Sequence, residues 1–174
     1  MQETHREIII DGYNLIYRLF HPENACLLSD LREQTEAALS KYLQKRRLHG
    51  TVVYDGGTVR GSSFRSGRID TVFPGSGTSA DQWIIDHVRE KASKACMTTV
   101  VSSDREIRQF VSAFGAGWMS SESFAEELGR SGCGFRQEKQ GKKYGERDHS
   151  GKNHETALDR REIMYWRALF DPEK

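Results

Sequence analysis

Arg6-Glu7-Ile8-Ile9-Ile10-Asp11-Gly12 is the stretch on which the reading of this chain turns. Three consecutive β-branched residues predict a short strand buried on both faces, and the Asp-Gly pair that ends it marks a turn. A strand buried on both faces belongs in a parallel sheet, because the crossovers that parallel pairing demands also cover the sheet. The same form recurs downstream. Residues 51–54 end at Asp55-Gly56-Gly57, residues 69–73 end at Pro74-Gly75, residues 98–101 end at Ser102-Ser103-Asp104, and a last short strand is expected around Trp118 and Met119.

Between these runs the apolar spacing is helical. A helix is expected to begin near Leu15. Residues 30–48 place Leu31, Ala38, Leu39, Tyr42, Leu43 and Leu48 among charges, with Ser29 or Asp30 as cap and Gly50 as stop. Ser79 with Gln82 forms a capping-box pattern ahead of Trp83, Ile84, His87 and Val88, and Ser103 with Glu106 repeats it ahead of Ile107, Phe110, Val111 and Phe114. A further helix starts near Ser121 and carries Phe124 and Leu128. Strands alternating with helices predict an α/β fold: three layers, with a mostly parallel central sheet flanked by helices. The organisation expected is a domain over residues 1–128, a basic, Gly-rich arm or loop over 129–154, and a C-terminal helix over 155–174 that packs back on the domain.

Composition narrows the function classes. A chain of 174 residues holds one ordinary core. No apolar stretch is long enough to span a bilayer, and the polar start before the short run at Ile8 is unlike an export signal, so a cytoplasmic location is expected. The three cysteines are far apart and the six histidines lack an i, i+4 pair, which argues against a disulfide framework and against nitrogen or sulfur ligation of a metal. The net charge of +1 leaves the clustering of charge as the informative feature.

In open parallel sheets ligands bind beyond the carboxyl ends of the strands. There the sequence sets Asp11, Asp55, Asp81 and Asp104. Singly, Asp81 and Asp104 read as first-turn acids that favour the helix dipole by about 0.3–1 kcal/mol, and Asp55 reads as a turn residue. Together they conflict, since two carboxylates about 4 Å apart repel by roughly 4 kcal/mol at an effective dielectric near 20. An all-oxygen donor set suits Mg²⁺ or Mn²⁺, and such a site is built for attack of activated water on a phosphodiester.

Four motifs carry a family resemblance: Ile8-Ile9-Ile10-Asp11-Gly12-Tyr13-Asn14, Val52-Val53-Tyr54-Asp55-Gly56, Val72-Phe73-Pro74-Gly75-Ser76-Gly77-Thr78-Ser79-Ala80-Asp81, and Val100-Val101-Ser102-Ser103-Asp104-Arg105-Glu106. In order and spacing they resemble the NYN domain of the YacP-like type, from about Arg6 to Leu128, with a looser match beyond. The resemblance implies a PIN-like fold and a metal-dependent endoribonuclease acting in turnover or processing of mRNA or other cellular RNA. It implies Asp11, Asp81 and Asp104 as metal-holding catalytic carboxylates, Asn14 as their companion, and products ending in 5′-phosphate and 3′-hydroxyl. One departure stands out: where family members often carry a second acid after the one at Asp81, this chain has Gln82. Ser103 is a further candidate for the metal shell, beside its reading as a helix cap.

RNA would be gripped by cations. Arg60, Arg65 and Arg68 lie in a Gly- and Ser-rich stretch expected to be a loop near the aspartate edge, and Lys142 and Lys143 belong to the basic arm. Two decoys are weak. Gly75-x-Gly77-x-x-Ala80 mimics a dinucleotide fingerprint, but Asp81 opposes a pyrophosphate at that helix start; and Tyr13 breaks the Asp-x-Asp of a phosphatase. The rival of a different class is a catalytically silent PIN-like module that binds RNA or the ribosome.

Overall fold

The computed structural model describes residues 6–20, 28–56, 62–75 and 77–133 of the 174. In chain order these form β1 (Glu7–Asp11), α1 (Gly12–Phe20), α2 (Leu28–Arg46), β2 (His49–Val53), β3 (Ser62–Ser66), β4 (Ile69–Phe73), α3 (Ala80–Glu90), a 3₁₀ segment (Ala92–Met97), β5 (Thr98–Val101), α4 (Arg105–Ala113), β6 (Gly117–Met119) and α5 (Ser121–Arg130). The strands make one six-stranded sheet in the order β3-β4-β2-β1-β5-β6. Every pairing is parallel except that of β3 with β4. The expected α/β class and mostly parallel, helix-flanked sheet are what the chain forms.

The side-chain period of two along β1 divides the core. Ile8 and Ile10 face a cluster with Leu15 and Ile16 of α1, Leu39 and Leu43 of α2, and Phe124 and Leu128 of α5. Ile9 faces the other way, onto Ile84 and Val88 of α3 and Ile107 and Val111 of α4. Each of these side chains, buried fully or nearly so, contributes about 1.5–3 kcal/mol, and burial on both faces explains why the strand is apolar at consecutive positions. Because β2 and β4 extend the sheet to one side of β1 while β5 and β6 extend it to the other, the strand order reverses beside β1. That crevice lies at the end of the sheet where Asp11 stands.

Several local expectations are corrected. The stretch expected to be a loop before β4 contains β3, an edge strand with little apolar alternation and four exposed residues, which explains its poor legibility. Helix α2 ends at Arg46, and Arg47, not Gly50, takes the left-handed conformation (φ 56°) that ends it. Gly50 instead lies within β2, where a Cβ would run into Leu43. Helix α1 begins at Gly12, earlier than Leu15, and the segment after α3 closes in a 3₁₀ turn that periodicity did not reveal. The Ser79 cap is as expected, its hydroxyl accepting from Gln82 N. The expected arm loses its first residues, since α5 runs on to Arg130 and a turn follows through Cys133; residues 134–154, the C-terminal helix and Cys26 lie outside the described residues. Among the described residues Cys96 and Cys133 are free thiols, and no helix is long and apolar enough to cross a membrane.

Candidate metal and phosphodiester site

Asp11 is the last residue of β1 and also starts α1: its Oδ1 accepts from Asn14 N at 3.1 Å, the bond of a helix cap. Its Oδ2 accepts from the Ser102 hydroxyl at 3.1 Å. Ser102 follows β5 and is fully buried, and its Oγ in turn accepts from Asp104 N at 3.1 Å. One hydroxyl therefore joins the two aspartates on either side of the crevice. Trp118 of β6 fixes the same residue from behind by donating its indole N–H to Ser102 O at 2.9 Å, with the Arg108 guanidinium 4.5 Å from the Trp118 ring centroid.

Asn14 is buried, and its Oδ1 accepts from Ser103 N at 3.2 Å. It neither caps a helix nor stands apart; it ties α1 to the turn after β5. Asp104 is the cap of α4, its Oδ1 accepting from Glu106 N at 2.7 Å and Ile107 N at 3.0 Å. The expected capping role of Ser103 is thus filled by its neighbour. The Ser103 hydroxyl donates to Glu122 Oε2 at 2.5 Å and accepts from Ser121 N at 3.1 Å, both on α5. Glu122 also pairs with Arg18 of α1 at 2.7 Å. The Ser103 hydroxyl hence serves the packing of α5.

The acids lie close enough to feel one another's charge. Burial raises the Asp11 carboxyl to about 7, against the lowering bond from Asn14 N, and the negative charges of Asp81 and Asp104 push the same way as burial. Asp81, in the first turn of α3, is raised to about 6 by loss of solvent and then by Asp104, Asp55 and Glu106. Asp81 keeps a large solvent-facing area, so screening leaves little of that repulsion as a stability cost. Asp55 does what its turn reading says, accepting from Gly56 N at 2.8 Å, yet its charge still reaches Asp81. Ser102 and Glu106 are thus members of the neighbourhood that sequence reasoning did not single out, and Asp55 is one that it set aside as a turn residue. The signal for Ser102 was its place between a strand end and Asp104.

Among the described residues no three His, Cys, Asp or Glu side chains converge tightly enough to enclose a metal ion by themselves. The acidic group is an open one. A hard cation held there would need water in the positions that the carboxylates leave open. The donors at hand are all oxygens, as a hard cation prefers. Gln82 donates its side-chain amide to Asp86 Oδ2 at 3.0 Å, and Asp86 also pairs with Arg89, so neither supplies a second acid to the group.

The candidate RNA-binding arginines fall elsewhere. In the β3–β4 hairpin Ser62 pairs with Phe73 and Ser66 with Ile69, so the turn lies at the end of the sheet opposite Asp11. Arg65 sits near that far end and is held by Asp70 through bonds of 2.8 and 3.0 Å, and Arg68 lies in the turn, its carbonyl accepting from Gly50 N. The expectation that Arg65 and Arg68 flank the aspartates is therefore corrected, because the stretch folds back as a strand and carries them away. Arg60, Lys142 and Lys143 lie outside the described residues.

Comparison with known proteins agrees with this fold. The family model described as the YacP-like NYN domain matches residues 8–171, reaching well past the segment where the motifs lie. None of the curated protein sequences matches the chain. Among solved structures the fold is similar to that of Rae1 (YacP) from Bacillus subtilis: a point mutant of that protein aligns with a TM-score of 0.60 at 20% identity, covering 71% of this chain and 75% of that one. A second Rae1 (YacP) structure from the same organism aligns with a TM-score of 0.59 at 20% identity, covering 71% and 73%. With its motifs in register on a six-stranded sheet, and the family model matched over nearly its whole length, the chain belongs to the YacP-like NYN family of PIN-like nucleases.

Proposed function

We propose that the chain is a divalent-metal-dependent endoribonuclease of the cytoplasm that hydrolyses phosphodiester bonds of RNA. The observation that carries this reading is Asp11: a buried carboxylate fixed by two donors and loaded by the charges of Asp81 and Asp104. Nothing about packing requires such an arrangement, and burial of a charge without a partner is costly. Asp11, Asp81 and Asp104 are the residues that would hold Mg²⁺ or Mn²⁺, partly through water. Bound there, the ion supplies neutralisation of phosphate charge and activation of a water nucleophile, with products ending in 5′-phosphate and 3′-hydroxyl.

The chain's own residues act by positioning. Ser102 orients Asp11 and holds the backbone of Asp104. Asn14 locks the first loop to the turn after β5. Asp104 keeps one oxygen on the α4 N–H groups, which leaves its Oδ2 for the shared centre. The purified full chain, incubated with single-stranded RNA and Mn²⁺ beside an Asp11→Asn variant, tests the reading. Cleavage by the parent alone is expected. Cleavage by both points to a contaminant.

A second reading, a silent RNA-binding or ribosome-associated module, is favoured by one observation: the residue after Asp81 is Gln82, turned along α3 to Asp86, so the acidic group stays open. Cleavage by neither protein, with RNA still bound, selects it.

A further inference from the structure

One row beyond Asp11 the sheet end changes character. Asp11 pairs with Val53, and Val53 with Val72, so the next residues on the three strands are Gly12, Tyr54 and Phe73. Gly12 is small because a Cβ there would run into the Tyr54 ring. Tyr54 stacks on Phe73 with ring centroids 5.6 Å apart and meets Tyr13 at 5.2 Å. Over this row stands Arg32, from the second turn of α2, its guanidinium carbon 5.9 Å from the Tyr54 centroid and 5.5 Å from that of Phe73.

Arg32 forms no ion pair among the described residues. Glu36, one helical turn along, acts on it through space. A guanidinium held over aromatic rings keeps its in-plane N–H donors, a fork that matches a phosphate, and loses less entropy per bond because it is already placed. Tyr54 and Phe73 stand one and two strands from β1, about 5 and 10 Å at ordinary strand spacing. That is the scale of neighbouring phosphates along a single strand.

We propose that Arg32, held over the Tyr54 and Phe73 rings, binds a backbone phosphate of single-stranded RNA beside the bond presented to Asp11. The proposal rests on the nuclease reading and names a substrate contact within it. It also replaces the hairpin arginines, which point to the far end of the sheet.

The test measures binding of a fluorescein-labelled, single-stranded oligoribonucleotide of mixed sequence to the full chain in an Asp104→Asn background, across a salt series. Arg32→Ala is expected to weaken binding about fivefold at low salt and to reduce the slope of log affinity against log salt by about 0.7, the amount for one phosphate contact on a single strand. Arg32→Lys keeps the slope and recovers part of the affinity. Thermal unfolding of each variant is followed in parallel, because a merely structural role moves the melting temperature without the slope. An unchanged slope with affinity within about twofold of the parent overturns the proposal while the nuclease reading stands. Absence of both binding and cleavage in the unsubstituted protein overturns both.

Discussion

The Ser102 hydroxyl donates to Asp11 Oδ2 at 3.1 Å across 91 positions of sequence, and the same oxygen accepts from Asp104 N. Removing it leaves a buried acceptor on Asp11 and a loosened turn at Asp104. Ser102→Ala is expected to lower Mn²⁺ affinity about 10- to 100-fold, as loss of a group that orients a ligand does, and to cost about 1–3 kcal/mol of stability. Calorimetric titration with Mn²⁺ and urea unfolding measure the two effects, and an unaltered affinity would show that the hydroxyl serves packing alone.

The metal-free protein should respond to pH in an unusual direction. Asp11 has an ordinary value of 3.8 and is raised by burial to about 7, so between those values the folded chain holds a proton that the unfolded chain releases. Stability then rises as pH falls from about 7 toward 4. Asp11→Asn removes this dependence and should stabilise the metal-free protein at pH 8 by on the order of 2 kcal/mol, while abolishing cleavage. Urea midpoints at pH 8 and pH 5 in EDTA, parent against variant, check the sign; equal pH profiles would refute it.

The other end of β1 predicts the opposite behaviour. Burial opposes the Glu7 charge, yet His87 and Lys91 beside it lower its carboxyl to about 2. Lys91 Nζ lies 2.5 Å from Glu7 Oε2, and His87 Nε2 lies 3.5 Å from Oε1. Its stabilisation is complete above the ordinary value of 4.5 and is lost as pH falls toward 2. Glu7→Gln should cost about 2–3 kcal/mol at pH 7 and flatten the acid limb of the unfolding curve. An acid limb unchanged by the substitution would remove Glu7 from the account.

Gly12→Ala tests the close approach of the first turn to Tyr54. The added methyl collides with the ring, and overpacking of this kind costs about 1–3 kcal/mol. Tyr54→Leu opens the space, so the double variant should recover part of the loss relative to the sum of the singles. Additive effects in urea unfolding would show that the two positions do not meet.

Reading the sequence went furthest where one force dominates. The Ile8-Ile9-Ile10 run, the Ser79 cap and the apolar stripe of α3 each answer to burial or to a single local hydrogen bond, and each appears where expected. Of the expected inner face of α4, by contrast, only Ile107 and Val111 are buried, and Phe110 and Phe114 are exposed. Strand β3 escaped because an edge strand with solvated side chains carries no apolar alternation. With it went the placement of Arg65 and Arg68, since a residue's end of the sheet depends on strand direction, which composition does not encode. At the site, strand ends and turn residues located the four aspartates, whereas Ser102 and the row of Tyr54 and Arg32 required knowing which strands lie side by side.

The dual place of Asp11, as the close of β1 and the cap of α1, binds chemistry to synthesis. A ribosome that has released the chain only through α3 has delivered Asp11 and Asp81 but not Ser102 or Asp104. Until β5 slots in beside β1, the first aspartate has no hydroxyl to orient it and lacks the second of its two facing acids. The acidic centre therefore comes into being only with the finished sheet.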